Sequence, residues 1–201
     1  MIQARKAFIR QLVHYIQKSR EVIYFDKTST HVWDKKRRVW QNKDMPVRAT
    51  LNPYRGRGVT IFGGLNSLTE RLIWGLGRGC SNDNVNDFLM RTLIPRIGNK
   101  ENSVIVMDNL NSHKNPKLTQ HLNGHGIRVL FTPVGCSDLN PIEMVWNHFK
   151  HRWRKHLFDK QPDIEGLNAE TNVVIVLSQL KNQVGSVCKG SFRQMLKDIQ
   201  N

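Results

Sequence analysis

Five short apolar runs constrain most strongly what this chain can fold into. They are rich in β-branched and aromatic residues and lie at residues 21–26, 58–65, 71–77, 103–108 and 127–133. Apolar runs of this length, bounded by turn residues or charges, predict buried strands. Between the first two runs, "HVWDKKRRVWQ" predicts a hairpin with basic residues at its tip.

Segments with helical periodicity surround and separate these runs. Apolar residues recur at helical spacing in 3–20, 82–95, 115–123 and 191–199, and a further helix begins at Pro141. The run "VVIVLSQLKNQV" is compatible with either a strand or a helix. Several strands in succession, followed by alternating helices and strands, predict an α/β fold. Its mixed central sheet, flanked by helices, opens with antiparallel strands and continues in βαβ units.

The charge of the chain favours a polyanionic partner. Lys and Arg total 31 against 16 Asp and Glu, which gives a formal net charge of +15. The densest basic runs are Lys35–Arg38, Arg48–Arg57 and Lys150–Lys155. Such a charge attracts nucleic acid in the first place and an acidic membrane in the second.

Several other classes of protein are not expected. The three cysteines lie far apart and form no CxxC pair, so the sequence indicates neither a disulfide framework nor a four-cysteine zinc site. They suit a reducing compartment. No apolar run reaches the roughly 18–20 residues of a membrane span, and the first residues lack a signal-peptide pattern. Because no run is long enough to span a membrane, we expect no membrane partner. The glycines at 75, 77 and 79 lack phosphate-loop spacing, so we also expect no nucleotide cofactor.

Three acids occupy positions at which sites form in sheets of this kind. Asp26 and Asp108 end two of the predicted strands, and Glu143 follows Asn140-Pro141 in the first turn of a predicted helix. Ligand sites gather at the carboxyl ends of strands in α/β sheets. Taken singly, each acid has a simpler explanation, as a turn residue or as an acid that favours the helix dipole. Together they would repel one another unless a cation lay between them, and oxygen ligands favour Mg²⁺ or Mn²⁺ over zinc.

Two stretches, which contain Asp108 and Glu143, resemble catalytic blocks of the mariner superfamily of DDE transposases, which are DDE superfamily endonucleases. In that family a strand ends in Asp-Asn with a His shortly after, as in "VIVMDNLNSHKN", where Asp108 precedes His113. A later loop reads Asp-Leu-Asn-Pro-Ile-Glu and leads into a helix with Trp and basic residues, as Asp138–Glu143 and Trp146 do here. The 34 residues between Asp108 and Glu143 are a spacing typical of the superfamily.

The resemblance covers about residues 20–157 and implies an RNase H-like fold. It implies that Asp26, Asp108 and Glu143 are the catalytic acids and hold Mg²⁺ or Mn²⁺, as two ions. Such an enzyme hydrolyses a phosphodiester at the transposon end and joins the freed 3′ hydroxyl to target DNA. The implied partners are double-stranded DNA, as transposon ends and target, and a second copy of the chain in a homodimer. An intracellular location is expected, in the nucleus of a eukaryote or the cytoplasm and nucleoid of a bacterium.

Two features depart from the family pattern. Lys27 stands where the first block usually has a second acid, and an ammonium beside a metal pocket would oppose cation binding. Successive strand residues face opposite sides, however, so this side chain is free to point away. No helix-turn-helix module is read ahead of the catalytic blocks, because residues 1–20 suit one helix or linker. The alternative to an active transposase is therefore a decayed or domesticated, non-catalytic DNA-binding derivative.

Charge and resemblance together predict DNA contacts outside the acids. We expect them from basic residues of the predicted hairpin and of the helix that begins at Pro141, and from one histidine: Lys35, Lys36, Arg37, Arg38, Lys150, Arg152, Arg154, Lys155 and His113. A solvated basic face explains the helix residues equally well. His148 and His151, with Cys136 nearby in sequence, match no zinc-finger spacing, so zinc is not expected.

These observations divide the chain into three parts. We expect an N-terminal helix or linker at 1–20, an RNase H-like catalytic domain at 21–158 and a C-terminal helical extension at 159–201.

Overall fold

Five strands form one mixed sheet in the order β3-β2-β1-β4-β5. The computed structural model describes residues 2–18, 20–32, 34, 58–109, 116–160 and 168–200. In chain order, the strands and helices are α1 Ile2–Gln17, β1 Glu21–Thr30, β2 Val59–Asn66, β3 Arg71–Gly77, α2 Asn82–Asp87, β4 Ser103–Met107, α3 Pro116–Gly124, β5 Arg128–Phe131, α4 Ile142–Asp159, α5 Ala169–Ser178 and α6 Lys181–Gln200. A π-helical turn, Phe88–Leu93, and a 3₁₀ turn, Ile94–Arg96, continue α2.

Strand direction changes at β1, the centre of the sheet. β1 pairs with β2 in antiparallel fashion and with β4 in parallel fashion, while β2–β3 is antiparallel and β4–β5 is parallel. The parallel pairs require crossovers, and these are supplied by α2 with its continuation and by α3. The predicted antiparallel opening followed by βαβ units is confirmed.

The end of β1 was predicted wrongly. The strand does not stop at Asp26 but continues to Thr30, where Thr30 pairs with Val59. The reason is that β2 supplies an antiparallel partner along this whole stretch, whereas the parallel partner β4 ends at Met107. Asp26 therefore lies where the neighbouring strand ends, not where its own strand ends.

Helices cover both faces of the sheet. One core joins Val22 and Tyr24 of β1 to apolar residues of α1, α4, α5 and α6. The other joins Ile23 and Phe25 to α2, its continuation and α3. The ambiguous run at 173–184 is helical: it forms most of α5 and the start of α6, and Val173, whose side chain is fully buried, packs in the first core.

Helix α1 is packed into the domain. Ile9 and Leu12 are fully buried in the same core as α4, and Arg5 forms an ion pair with Asp138. The boundaries near residues 20 and 158 stay a prediction. No helix within the described ranges is both long and apolar enough to cross a membrane.

Candidate active site

Asp26 is buried in β1 on the face that α4 covers. Its side chain is 7% exposed, and its Oδ2 accepts a hydrogen bond of 3.0 Å from the indole Nε1 of Trp146 in α4. The backbone N–H of Lys27 also donates to this carboxylate. The carboxylate of Asp26 is thus held at a defined place, beneath the start of α4.

The register of the sheet places Asp108 beside Asp26. The parallel β1–β4 pairing aligns Tyr24 with Val106, and the same register carried two residues further aligns Asp26 with Asp108. Asp108 follows β4 directly, and its carboxylate raises the pKa of Asp26, so the two acids lie within electrostatic reach of each other. Two of the three predicted acids therefore lie close together, Asp26 within β1 and Asp108 directly after the neighbouring strand β4.

Glu143 reaches this face through the loop that begins α4. A short 3₁₀ turn, Ser137–Leu139, leads into Asn140, whose backbone carbonyl accepts the N–H of Glu143 at 3.1 Å. The side-chain Nδ2 of buried Asn140 donates to the carbonyl of Phe25 at 3.1 Å. This bond ties the head of α4 to the residue before Asp26, and it leaves Glu143 half-buried in the first helical turn.

The three carboxylates influence one another electrostatically. Burial and then the carboxylate of Glu143 raise the pKa of Asp26 to about 7, with a smaller contribution from Asp108. The N–H of Lys27 and the indole of Trp146 oppose this rise. The pKa of Glu143 is also raised, by burial and by Asp108, while Lys150 works against it. Removing negative charge here, by protons or by a cation, therefore relieves a repulsion.

The chemistry of the donors fits a hard divalent cation. All three are carboxylates, the ligands that Mg²⁺ and Mn²⁺ prefer, and their mutual repulsion is the kind that such an ion offsets. Within the described residues, however, no three His, Cys, Asp or Glu side chains are gathered closely enough to hold one ion. The acids lie within electrostatic reach of each other, and their joint coordination of a metal stays a prediction.

Lys27 does not point into this group of acids. It pairs with Phe62 of β2, which packs in the core on the α2 side, and cross-strand partners share a face. Asp26 faces the other side, towards Trp146. The departure of Lys27 from the family pattern therefore places no ammonium beside Asp26.

The basic residues of α4 do not form a single surface. Lys150 and Arg154 follow Glu143 at spacings of seven and eleven residues, which place all three along one side of the helix. Arg152 projects elsewhere and donates its Nε to Gln183 of α6 at 3.3 Å. Lys155 lies about a third of a turn away from Glu143 around the helix.

Other predicted contacts lie where the structure gives no description. Lys35–Arg38 and His113 fall outside the described residues, as does most of the predicted hairpin.

Two residues of the site were missed at the level of sequence. Trp146 was noted only as the tryptophan of the family pattern, yet its indole N–H donates a hydrogen bond to Asp26. Gly63 pairs directly with Asp26 across β1–β2, and a Cβ built there would lie 2.6 Å from the indole ring of Trp146. The one available signal was the Gly63-Gly64 pair inside an apolar strand, since glycine in a strand often marks a close approach.

Comparisons with known proteins agree on the family and the fold. A sequence profile described as "DDE superfamily endonuclease" matches residues 21–165. A search of curated proteins gives no match. The solved mariner Mos1 paired end complex with Mg aligns with a TM-score of 0.66 at 15% identity, over 99% of this chain and 61% of that chain. The pre-cleavage Mos1 transpososome aligns with a TM-score of 0.60 at 14% identity, over 94% and 62% respectively.

These matches differ in what they establish. The Mos1 structures confirm the predicted RNase H-like fold, and this chain spans less than two thirds of the length of the Mos1 chains. The sequence profile covers well over half of the chain and includes Asp26, Asp108 and Glu143. The chain therefore belongs to the family of DDE superfamily endonucleases.

Proposed function

We propose that the chain is the catalytic domain of a DNA transposase, which hydrolyses phosphodiesters at transposon ends and transfers the resulting 3′ end to target DNA. The observation that carries the proposal is the group of three carboxylates at the head of α4, in which Glu143 and Asp108 raise the pKa of Asp26 and Asp108 raises the pKa of Glu143. Such a group, in a protein of charge +15, suits a metal-dependent reaction on a polyanion.

In this proposal Asp26, Asp108 and Glu143 hold one or two Mg²⁺ or Mn²⁺ ions. When bound, the ions make a water or hydroxyl nucleophilic and stabilise the oxygen that leaves phosphorus. The register of β1 and β4 supports the view that Asp26 and Asp108 are neighbours. The effect of Glu143 on the pKa of Asp26 supports Glu143 as the third ligand. The carboxylate of Asp26 is held by the indole of Trp146 and by the backbone N–H of Lys27.

The reaction has two chemical steps. In the first, a water oxygen bonds to phosphorus while the bond between phosphorus and the 3′ oxygen breaks, which leaves a 3′ hydroxyl and a 5′ phosphate. In the second, that 3′ hydroxyl bonds to a phosphorus of the target strand, and the target's own 3′ oxygen leaves. Neither step changes the oxidation state of any group, so a cation and water suffice as auxiliaries.

The proposed phosphate contacts lie on the side of α4 that carries Glu143. Lys150 acts on Glu143 electrostatically and Arg154 follows one turn later, so a DNA strand entering the site meets both. Arg152, which is bonded to Gln183, and Lys155, on a different side of the helix, are weaker candidates. Lys35–Arg38 and His113 remain proposed contacts from the sequence.

The proposed partners are double-stranded DNA, as transposon ends and target, and a second copy of the chain. The Mos1 structures of similar fold include a paired-end complex with the left transposon end, a strand transfer complex and paired-end complexes with Mg and with Mn. A paired-end arrangement suits a homodimer, one copy at each end. The protein would act wherever its DNA lies, in the nucleus or in the bacterial nucleoid.

Nicking of supercoiled plasmid tests the proposal. We expect nicking with Mg²⁺ or Mn²⁺ and none with EDTA, and we expect Asp108→Asn or Glu143→Gln to abolish it while DNA binding persists. Asp87→Asn is the matched control, because Asp87 is an exposed acid on α2, paired with Arg91, on the other side of the sheet. Binding without metal-dependent nicking in the unaltered chain would favour the non-catalytic derivative instead.

A further inference from the structure

Gly63 and Trp146 are shaped to fit each other at Asp26. Gly63 lies opposite Asp26 in the antiparallel β1–β2 pair. A Cβ on Gly63 would lie 2.6 Å from Cζ2 and Cη2 of Trp146, closer than real Cβ atoms approach other atoms. The indole ring therefore occupies the space that any other residue at position 63 would fill with its side chain.

Because Gly63 has no side chain, the indole of Trp146 can reach the carboxylate of Asp26. Trp146 is 1% exposed, and from this position its Nε1 donates to Oδ2 of Asp26 at 3.0 Å. Trp146 also follows Glu143 by three residues on the same helix, so the bond joins the helix that carries Glu143 to the strand that carries Asp26. The bond from Asn140, which lies just before α4, to the carbonyl of Phe25 joins the loop ahead of this helix to β1 one residue from Asp26.

We propose that Trp146 is a positioning residue that fixes the carboxylate of Asp26 relative to Glu143 for metal binding, and that Gly63 is required to seat it. This inference rests on the proposed function, since it assumes that the acids bind metal. A hydrogen bond to a ligating carboxylate orients the ligand and restricts its rotation, and loss of such a partner commonly weakens metal binding about 10–100-fold.

The simpler alternative is that Trp146 only packs in the core. A second buried tryptophan of α4 provides the control for this alternative. Trp153 lies two turns later on α4, is also 1% exposed, and also donates its indole N–H, at 3.1 Å, to the backbone carbonyl of His31. Trp153→Phe removes the same kind of bond and the same ring from the same core. It leaves Asp26 untouched.

Mn²⁺ binding to the metal-free chain, measured by isothermal titration calorimetry, separates the two explanations. We expect Trp146→Phe to weaken Mn²⁺ binding about tenfold or more and Trp153→Phe to change it less than about twofold. Urea unfolding in EDTA runs in parallel, and we expect both variants to lose similar stability. Equal Mn²⁺ affinities for the two variants would overturn the proposal.

A second pair of variants leaves both tryptophans in place. Gly63→Ala forces the indole away from Asp26, whereas a Cβ at the adjacent Gly64 meets Leu93 in the core on the other face. We expect Gly63→Ala, and not Gly64→Ala, to weaken Mn²⁺ binding as Trp146→Phe does. In the double variant with Trp146→Phe, the smaller ring tolerates the new methyl group, so the two losses should be strongly non-additive. Additive losses would contradict the proposed fit.

Failure of this inference is distinguishable from failure of the proposed function. If the single variant Asp108→Asn binds Mn²⁺ as tightly as the unaltered chain, the acids do not form the metal site and both proposals are wrong. If Asp108→Asn weakens binding while Trp146→Phe and Gly63→Ala do not, the metal site stands and only the positioning role is wrong.

Discussion

The guanidinium Nη1 of Arg5 lies 2.6 Å from Oδ2 of Asp138 and so joins the first helix to the loop that leads into α4. Asp138 is 59% exposed, and ion pairs this open to solvent contribute only about 0–1 kcal/mol. The stronger attachment is apolar, since Ile9 and Leu12 of α1 are fully buried against α4–α6 and the sheet. Helix α1 therefore supports the loop that leads into α4, the helix whose first turn carries Glu143.

We predict that Leu12→Ala lowers the free energy of unfolding by about 2–5 kcal/mol, because it removes a fully buried side chain and leaves a cavity. The neighbouring Gln11→Ala, at an exposed position, should change stability by no more than about 0.5 kcal/mol. Urea unfolding of both variants measures the difference. Similar small losses would mean that α1 is a dispensable appendage and not part of this core.

A pH dependence follows from the raised pKa of Asp26. Without metal, the folded protein keeps the Asp26 proton up to about pH 7, whereas an ordinary aspartate releases it near 3.8. Between these values the unfolded chain binds fewer protons, so the free energy of unfolding falls as pH rises. The cost of this group at pH 8 is up to about 4 kcal/mol, at about 1.4 kcal/mol for each pH unit between the two values.

Asp26→Asn should therefore be more stable than the unaltered chain at pH 8 in EDTA, and the difference should vanish towards pH 4. Chemical denaturation at pH 4, 6 and 8 measures it. Added Mg²⁺ should stabilise the unaltered chain selectively and narrow the gap at pH 8, because a cation offsets the same repulsion. A gap that stays constant across this pH range would show that Asp26 does not titrate as described.

Lys150 and Lys155 provide a matched test of the DNA surface, being lysines of one helix that point to different sides. We predict that Lys150→Gln makes the negative slope of log affinity against log salt less steep by about 1, the effect of one lost phosphate contact. Lys155→Gln should alter the slope by less than half as much. Titration of a duplex at several salt concentrations gives both slopes. A larger effect from Lys155 would place the DNA on the other side of α4.

The sequence predicted the strands well because their β-branched runs are local signals. It placed the end of β1 wrongly because an acid after an apolar run suggests a strand end, and nothing local shows that β2 goes on pairing to Thr30. Residues 173–184 were ambiguous for a similar reason: an apolar run of this kind suits both periods. Its burial against α4 and the sheet decides for helix.

The sequence allowed the acids of the candidate site to be predicted as a set. It did not allow prediction of the hydrogen bond and the close contact that hold Asp26. Asp108 and Glu143 belong to a motif with a fixed spacing, and Asp26 follows an apolar run of strand-forming residues. The hydrogen bond from Trp146 to Asp26 joins residues 120 positions apart and depends on how α4 crosses the sheet. The role of Gly63 depends on the same crossing, so the Gly63-Gly64 pair indicates a close approach but not the residue that approaches.

Anomalous scattering from Mn²⁺-soaked crystals would show whether Asp26, Asp108 and Glu143 form one metal site. We predict one or two anomalous peaks bounded by these three carboxylates, about 3.5–4 Å apart if there are two, and their loss in Asp108→Asn. Mn²⁺ bound elsewhere would show that these acids do not form the metal site. So would a carboxylate of Asp26 more than about 10 Å from those of Asp108 and Glu143, because such a separation exceeds what a pair of ions can bridge.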